Sequence, residues 1–150
     1  TAYLIQQAVT YPMIHTTIAS VLRGRPLAAT TPTESIKTAC GIMCELDVRA
    51  VAIVQDEHLI GVLSERDVIQ KCICGNQQAD VMQVGDAMTP EPVSLNEDDS
   101  LADALKVMST GRFHHVPVLR DGKVSGLLSS DDVPEEYRML LERFKEIRGY

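Results

Sequence analysis

The feature that most constrains this chain is an internal repeat. Sliding the 150-residue sequence against itself by 65 positions aligns residues 35–68 with 100–133 without a gap, and ten of the 34 pairs are identical, where ordinary composition gives roughly two. The identities are Ser35/Ser100, Ala39/Ala104, Met43/Met108, Val51/Val116, Asp56/Asp121, Gly61/Gly126, Leu63/Leu128, Ser64/Ser129, Asp67/Asp132 and Val68/Val133. A chain built this way folds as two copies of one small unit.

Each copy has the same order of local signals. Ile36, Ala39, Cys40 and Met43 recur at helical spacing, as do Leu101, Ala104, Leu105 and Met108, so each copy carries one amphipathic helix. Two apolar runs around a turn follow: Ala50 to Val54 and Leu59 to Leu63 around Asp56-Glu57, then Val116 to Leu119 and Val124 to Leu128 around Asp121-Gly122. Such pairs read as hairpins, and Asp-Gly is a strong turn signal. Short extended stretches, Leu27 to Thr30 and Val93 to Leu95, precede the helices, themselves preceded by helix-like pieces at Thr17 to Leu22 and Val84 to Met88. The expected fold is α/β (α+β), two tandem βαββα units. Residues 15–74 form the first unit, 75–83 a polar linker, 84–133 the second unit and 134–150 a C-terminal amphipathic helix with Tyr137, Leu140, Leu141, Phe144 and Ile147 on one face. A unit of about 60 residues covers little of its own apolar surface, so two copies are expected to pack together.

Composition narrows the function. With two Phe, four Tyr and no Trp, the core is left to aliphatic side chains, which suits thin helix-on-sheet layers. A net charge of −7 without a long Lys/Arg run argues against nucleic acid. No apolar run reaches the roughly 20 residues needed to span a bilayer, and no secretory signal is visible at the start, so the cytoplasm is the expected location. Cys40, Cys44, Cys72 and Cys74 are then expected as free thiols.

Two motifs close the hairpins: Gly61-Val-Leu-Ser64-Glu-Arg-Asp67 and Gly126-Leu-Leu-Ser129-Ser-Asp-Asp132. Structurally, Gly-x-x-Ser-x-x-Asp is a capping box in which Ser caps the helix and Asp reaches back to the Ser amide. Functionally, a helix start after a Gly-entered strand offers amides and a positive dipole end to a phosphate, while the Asp can accept from a ribose diol. Recurrence in register favours the functional reading.

These motifs, the Val116-Pro117-Val118 strand and the Met88-Thr89-Pro90 lead-in resemble those of cystathionine β-synthase (CBS) domain pairs, over about residues 15–133. The resemblance implies two units packed by their sheets as a pseudo-twofold pair that commonly dimerises, with an adenosyl ligand such as AMP, ATP, NAD or S-adenosylmethionine in the clefts. It implies ribose contacts at Asp67 and Asp132 and phosphate contacts near Ser64 and Ser129. Basic residues just before the second strand often touch phosphates in adenylate-binding relatives, which points to His114 and His115, with Arg49 matching His114. Two departures make the sites unequal: Arg66 is replaced by Asp131, which weakens anion binding there, and Pro134 interrupts the second helix five residues after Ser129. Arg49 and Arg66 favour anions at the first site, His114 and His115 at the second.

The implied function is a regulatory module, not an enzyme, that senses an adenine nucleotide and signals to a separate target enzyme or transporter, with no cofactor required. Catalysis lacks a nucleophile set, a Lys-containing phosphate loop or a spaced carboxylate pair. A four-thiolate zinc site is disfavoured because Cys40 lies on the core stripe and neither Cys pair has ribbon spacing. The remaining alternative is a constitutive homodimerisation or adaptor module whose Ser and Asp merely cap helices, with the Tyr137 to Ile147 stripe as its contact. Residues 1–14 suggest packing without a period.

Overall fold

The computed structural model describes residues 16–111 and 113–139. The stripe residues Leu140, Leu141, Phe144 and Ile147, and residues 1–14, lie outside the described residues. The fold is mixed α/β, with two small sheets and helices. The elements are α1 (Ile18–Leu22), β1 (Ala29–Thr30), α2 (Ile36–Leu46), β2 (Ala50–Gln55), β3 (His58–Ser64) and α3 (Glu65–Asp67, continued by Val68–Ile73). Then come α4 (Val84–Ala87), β4 (Thr89–Pro90), β5 (Leu95–Asn96), α5 (Leu101–Gly111), β6 (His115–Arg120), β7 (Lys123–Ser129) and a 3₁₀ turn at Ser130–Asp132. The sheets run β1-β2-β3-β4 and β5-β6-β7.

Both hairpins sit where the turn signals place them. Asp56 and Glu57 take φ of 51° and 66°, and Asp121 and Gly122 take 51° and 79°, so each two-residue turn has both central residues in the left-handed region whose twist matches the strands. Only the second turn uses the residue that tolerates this freely. In the first sheet β1 runs parallel to β2, and β2 antiparallel to β3 with a shift at Ile53/Val54.

The helix stripes face inward. Ile36, Ala39 and Met43 are buried in α2, and Leu101, Ala104, Leu105 and Met108 in α5. Cys40, aligned with buried Leu105, is only half-buried. Ser35 caps α2 by accepting from the Thr38 amide, and Asp47 in the left-handed conformation ends it.

The chain divides into two compact units. One comprises Gly24–Ser94 and Pro117–Leu127, while the described parts of the other are residues 16–23, 95–116 without 112, and 128–139. In the first, Ala28, Ile36, Ala39, Met43, Val51, Ile53, Leu63, Cys72, Val84 and Ala87 form one buried cluster. In the second, Ile18, Val116, Leu128 and Val133 are buried together with the α5 stripe.

The lead-ins are exchanged between repeats. Gln83, ahead of the second repeat, bridges Ser35 of the first, with Ile36 N donating to Met82 O at 2.9 Å and Val84 N to Glu34 O at 2.8 Å. Reciprocally, Thr17 bridges Ser100, with Ile18 N donating to Asp99 O at 2.9 Å and Leu101 N to Thr16 O at 2.8 Å. β4 then adds antiparallel to β3, placing Pro90 opposite Gly61. A Cβ on Gly61 would lie 2.5 Å from Met88 Sδ and 3.0 Å from the Thr89 carbonyl oxygen, so the motif glycine is what lets this segment dock.

Candidate functional site

The first Gly-x-x-Ser-x-x-Asp motif and the Ser129–Asp132 part of the second each lie within one compact unit. In the first, β3 ends at Ser64, whose extended backbone opens α3. Ser64 Oγ accepts from the Asp67 amide at 3.2 Å, and Asp67 Oδ2 accepts from the Ser64 amide and hydroxyl, both at 3.0 Å. The Glu65 amide donates to the Arg49 carbonyl at 2.9 Å. Arg49, Ser64 and Asp67 are thereby brought to one point, with Arg49 and Arg66 exposed and Asp67 half-buried.

The second motif repeats this geometry. The Ser129 amide donates to Asp132 Oδ2 at 2.7 Å, Ser129 Oγ accepts from the Asp131 amide at 3.2 Å, and the Ser130 amide donates to the His114 carbonyl at 2.8 Å. His114 is exposed and His115 half-buried at the start of β6. The capping box is therefore complete in both copies. The carbonyl at the aligned positions Arg49 and His114 holds the next amide each time.

This arrangement changes which groups can meet an anion. The amides of Ser64, Glu65 and Asp67, and of Ser129, Ser130 and Asp131, are all engaged within the protein. Exposed Arg49 and Arg66 flank the first motif, and His114 and His115 stand at the start of β6 in the second copy.

After the motifs the copies diverge. α3 continues past Asp67 but widens, with the Cys74 amide donating to the Ile69 carbonyl five residues back at 2.8 Å. The second copy makes a single 3₁₀ turn, and Val133 adopts the extended backbone that precedes a proline (φ −83°, ψ 125°) before residues 135–139 resume as helix. Pro134 thus ends the turn at Val133, because its ring crowds the preceding residue out of the helical region.

One charged residue escaped the sequence reading. Lys71 Nζ lies 3.5 Å from Asp67 Oδ1 and donates to the Ala87 carbonyl at 2.9 Å. Its spacing of four from Asp67 was a usable signal, because such pairs face each other on a helix. The residue aligned with Lys71 in the second copy is Glu136.

The cysteines are free. Cys72 is buried and donates from Sγ to the Gln77 carbonyl at 3.6 Å, while Cys44 and Cys74 are exposed. Burial, then the neighbouring Cys44 and Cys72 thiols, pushes the Cys40 thiol up from its ordinary value. Among the described residues no group of three or more His, Cys, Asp or Glu is placed to hold a metal ion, and no helix is long and apolar enough to cross a membrane.

The CBS domain family model matches twice, over residues 19–73 and 84–137. The chain belongs to the CBS domain family. It is similar to CBS domain-containing protein CBSX3, mitochondrial, of Arabidopsis thaliana, at 27% identity over 143 residues covering 85% of this chain and 69% of that one. It is also similar to CBS domain-containing protein CBSCBSPB5 of the same plant, at 32% identity over 87 residues covering 57% of this chain. The match spans only 16% of that longer relative. Among solved structures, the CBS domain NE2398 superposes with a TM-score of 0.71 at 29% identity, covering 85% of this chain and 95% of that one. The CBS domain protein PAE2072 from Pyrobaculum aerophilum, solved in complex with AMP, gives a TM-score of 0.73 at 22% identity, covering 84% and 96%. This CBS chain thus shares the fold of tandem pairs throughout its repeats.

Proposed function

We propose that this CBS pair is a regulatory module, not an enzyme, that binds an adenine nucleotide of the AMP, ATP or NAD type and signals its presence to a partner. The observation that carries the reading is the same Ser–Asp box in both repeats, tied to the residue just before the first hairpin strand, in a family with a member solved with AMP. Asp67 and Asp132 are the ribose acceptors. In each carboxylate one oxygen is bonded in the box, and the other oxygen of Asp67 lies 3.5 Å from Lys71 Nζ. Ser64 and Ser129 hold those carboxylates, and Arg49, Arg66, His114 and His115 are the phosphate contacts. On this reading the module works as a homodimer in the cytoplasm, reporting to a separate enzyme or transporter.

Charge favours the first motif. Around it Arg49 and Arg66 outnumber Glu65, whereas the second carries Asp131, Glu135 and Glu136 near Asp132, which repel an anion. The test is calorimetric titration of AMP into wild type, Asp67→Ala and Asp132→Ala. Loss of binding in Asp67→Ala with a weaker effect in Asp132→Ala supports the assignment, and unchanged affinity in both sinks it.

A second reading has its own support. Ile69 and Ile73 are 55% and 61% exposed on α3, one turn apart, and such an apolar pair fits a constitutive self-association module in which the boxes only cap. It predicts a dimer whose stability no nucleotide alters.

A further inference from the structure

Lys71 is the charged group that nucleotide binding leaves unassigned. One ammonium reaches both the motif carboxylate Asp67, at 3.5 Å, and the carbonyl of Ala87, at 2.9 Å. Ala87 is the last residue of α4, where the terminal carbonyls lack intrahelical donors and can accept from a cation. The chain then runs directly into Met88, seated over Gly61, and into β4, paired with β3 at Gly61 and Val62. At Leu95 it leaves this compact unit. A single side chain therefore ties the proposed ribose acceptor to the segment through which the chain exits.

We infer that Asp67, Lys71 and Ala87 form a coupling link that passes occupancy of the first motif to residues 84–91. Ribose hydroxyls donating to Asp67 draw on the same carboxylate charge that attracts Lys71. The hold of Lys71 on Ala87 changes accordingly, and by linkage the docking of that segment changes the affinity at Asp67. Lys71 is a positioning residue here. The second repeat has Glu136 at the aligned place, which cannot donate to a carbonyl, so the link belongs to the first repeat alone. The ligand part of the inference rests on the nucleotide reading, while the link itself exists without ligand.

Hydrogen exchange of the full chain tests both parts. Without ligand, Asp67→Asn and Lys71→Met should each speed exchange of the Met88 and Glu91 amides, which donate to the Val84 and Ile60 carbonyls. The expected factor is roughly two to five, the size of a partly exposed ion pair, with the double variant no faster than the faster single and Lys71→Arg close to wild type. With saturating AMP, wild type should change its exchange over residues 84–91, and Lys71→Met should bind AMP without that change. Multiplying single effects, no effect in either single, or an AMP response that persists in Lys71→Met would overturn the link. Absence of AMP binding to wild type defeats the nucleotide reading instead, and the ligand-free cycle still decides the link.

Discussion

Gly61→Ala puts the docking of the crossover segment to a quantitative test. The added methyl would fall 2.5 Å from Met88 Sδ and 3.0 Å from both Met88 Cγ and the Thr89 carbonyl oxygen. The methionine can swing aside, but the Thr89 carbonyl belongs to β4, whose pairing places Thr89 opposite Val62 and Pro90 opposite Gly61. Overpacking of this kind costs about 1–3 kcal/mol, offset by about 0.5–1 kcal/mol for replacing glycine within a strand. The expected net loss is centred on about 1 kcal/mol within a span of about 0–2.5 kcal/mol, or a fall of roughly 0.5 M in the urea midpoint for a chain of this size. Equilibrium urea unfolding followed by circular dichroism measures it. In a Met88→Ala background two of the three close contacts vanish, so the glycine substitution should cost less there. A stabilising Gly61→Ala, or an equal penalty in both backgrounds, would refute the argument that this glycine serves close approach.

Other expectations follow from single features. Glu57→Gly should stabilise by about 0.5 kcal/mol in thermal melts, because Glu57 sits at φ 66° where the aligned turn has Gly122, and the relieved strain exceeds the unfolded-state cost and an exposed ion pair with Lys123. A destabilised variant would contradict it. Asp67→Ala should cost about 0.5–1.5 kcal/mol of stability through loss of the carboxylate's bonds to the Ser64 amide and hydroxyl, measurable in the same melts, whatever it does to nucleotide affinity. Iodoacetamide with peptide mass mapping should label the exposed Cys44 and Cys74 first, half-buried Cys40 later and buried Cys72 last. Since the folded-state pKa of Cys40 is raised, its contribution to stability is full below the unfolded thiol value of about 8.5 and fades as pH rises through the folded value. Melting temperature should therefore decline on the alkaline side, and less steeply in Cys40→Ser.

Much of this was readable from residues alone. The 65-residue offset exposed the two helices and two hairpins, since helical periodicity and paired apolar runs around a turn are local signals. The Ser–Asp boxes were legible because capping is set within four residues. What could not be read is non-local. Pairing of Gln83 with Ser35 and of Thr17 with Ser100 exchanges the lead-ins between repeats, and nothing in either short segment specifies which helix start it meets. The engagement of the motif amides by the Arg49 and His114 carbonyls likewise depends on how the hairpin closes. Lys71 showed its spacing to Asp67 but not its bond to Ala87, sixteen residues away. The widening of α3 after Asp67 had no compositional marker such as Gly or Pro.

Binding of an adenine nucleotide can be read from a thermal-shift panel of the protein with AMP, ADP, ATP, NAD, NADH and S-adenosylmethionine. A ligand at about 100 times its Kd adds about 2.7 kcal/mol to stability, which for a chain of this length raises Tm by roughly 5–10 °C. At least one adenine nucleotide should give such a rise, and the rise should be lost in Asp67→Ala. No shift with any compound, or one undiminished in Asp67→Ala and Asp132→Ala alike, would contradict it.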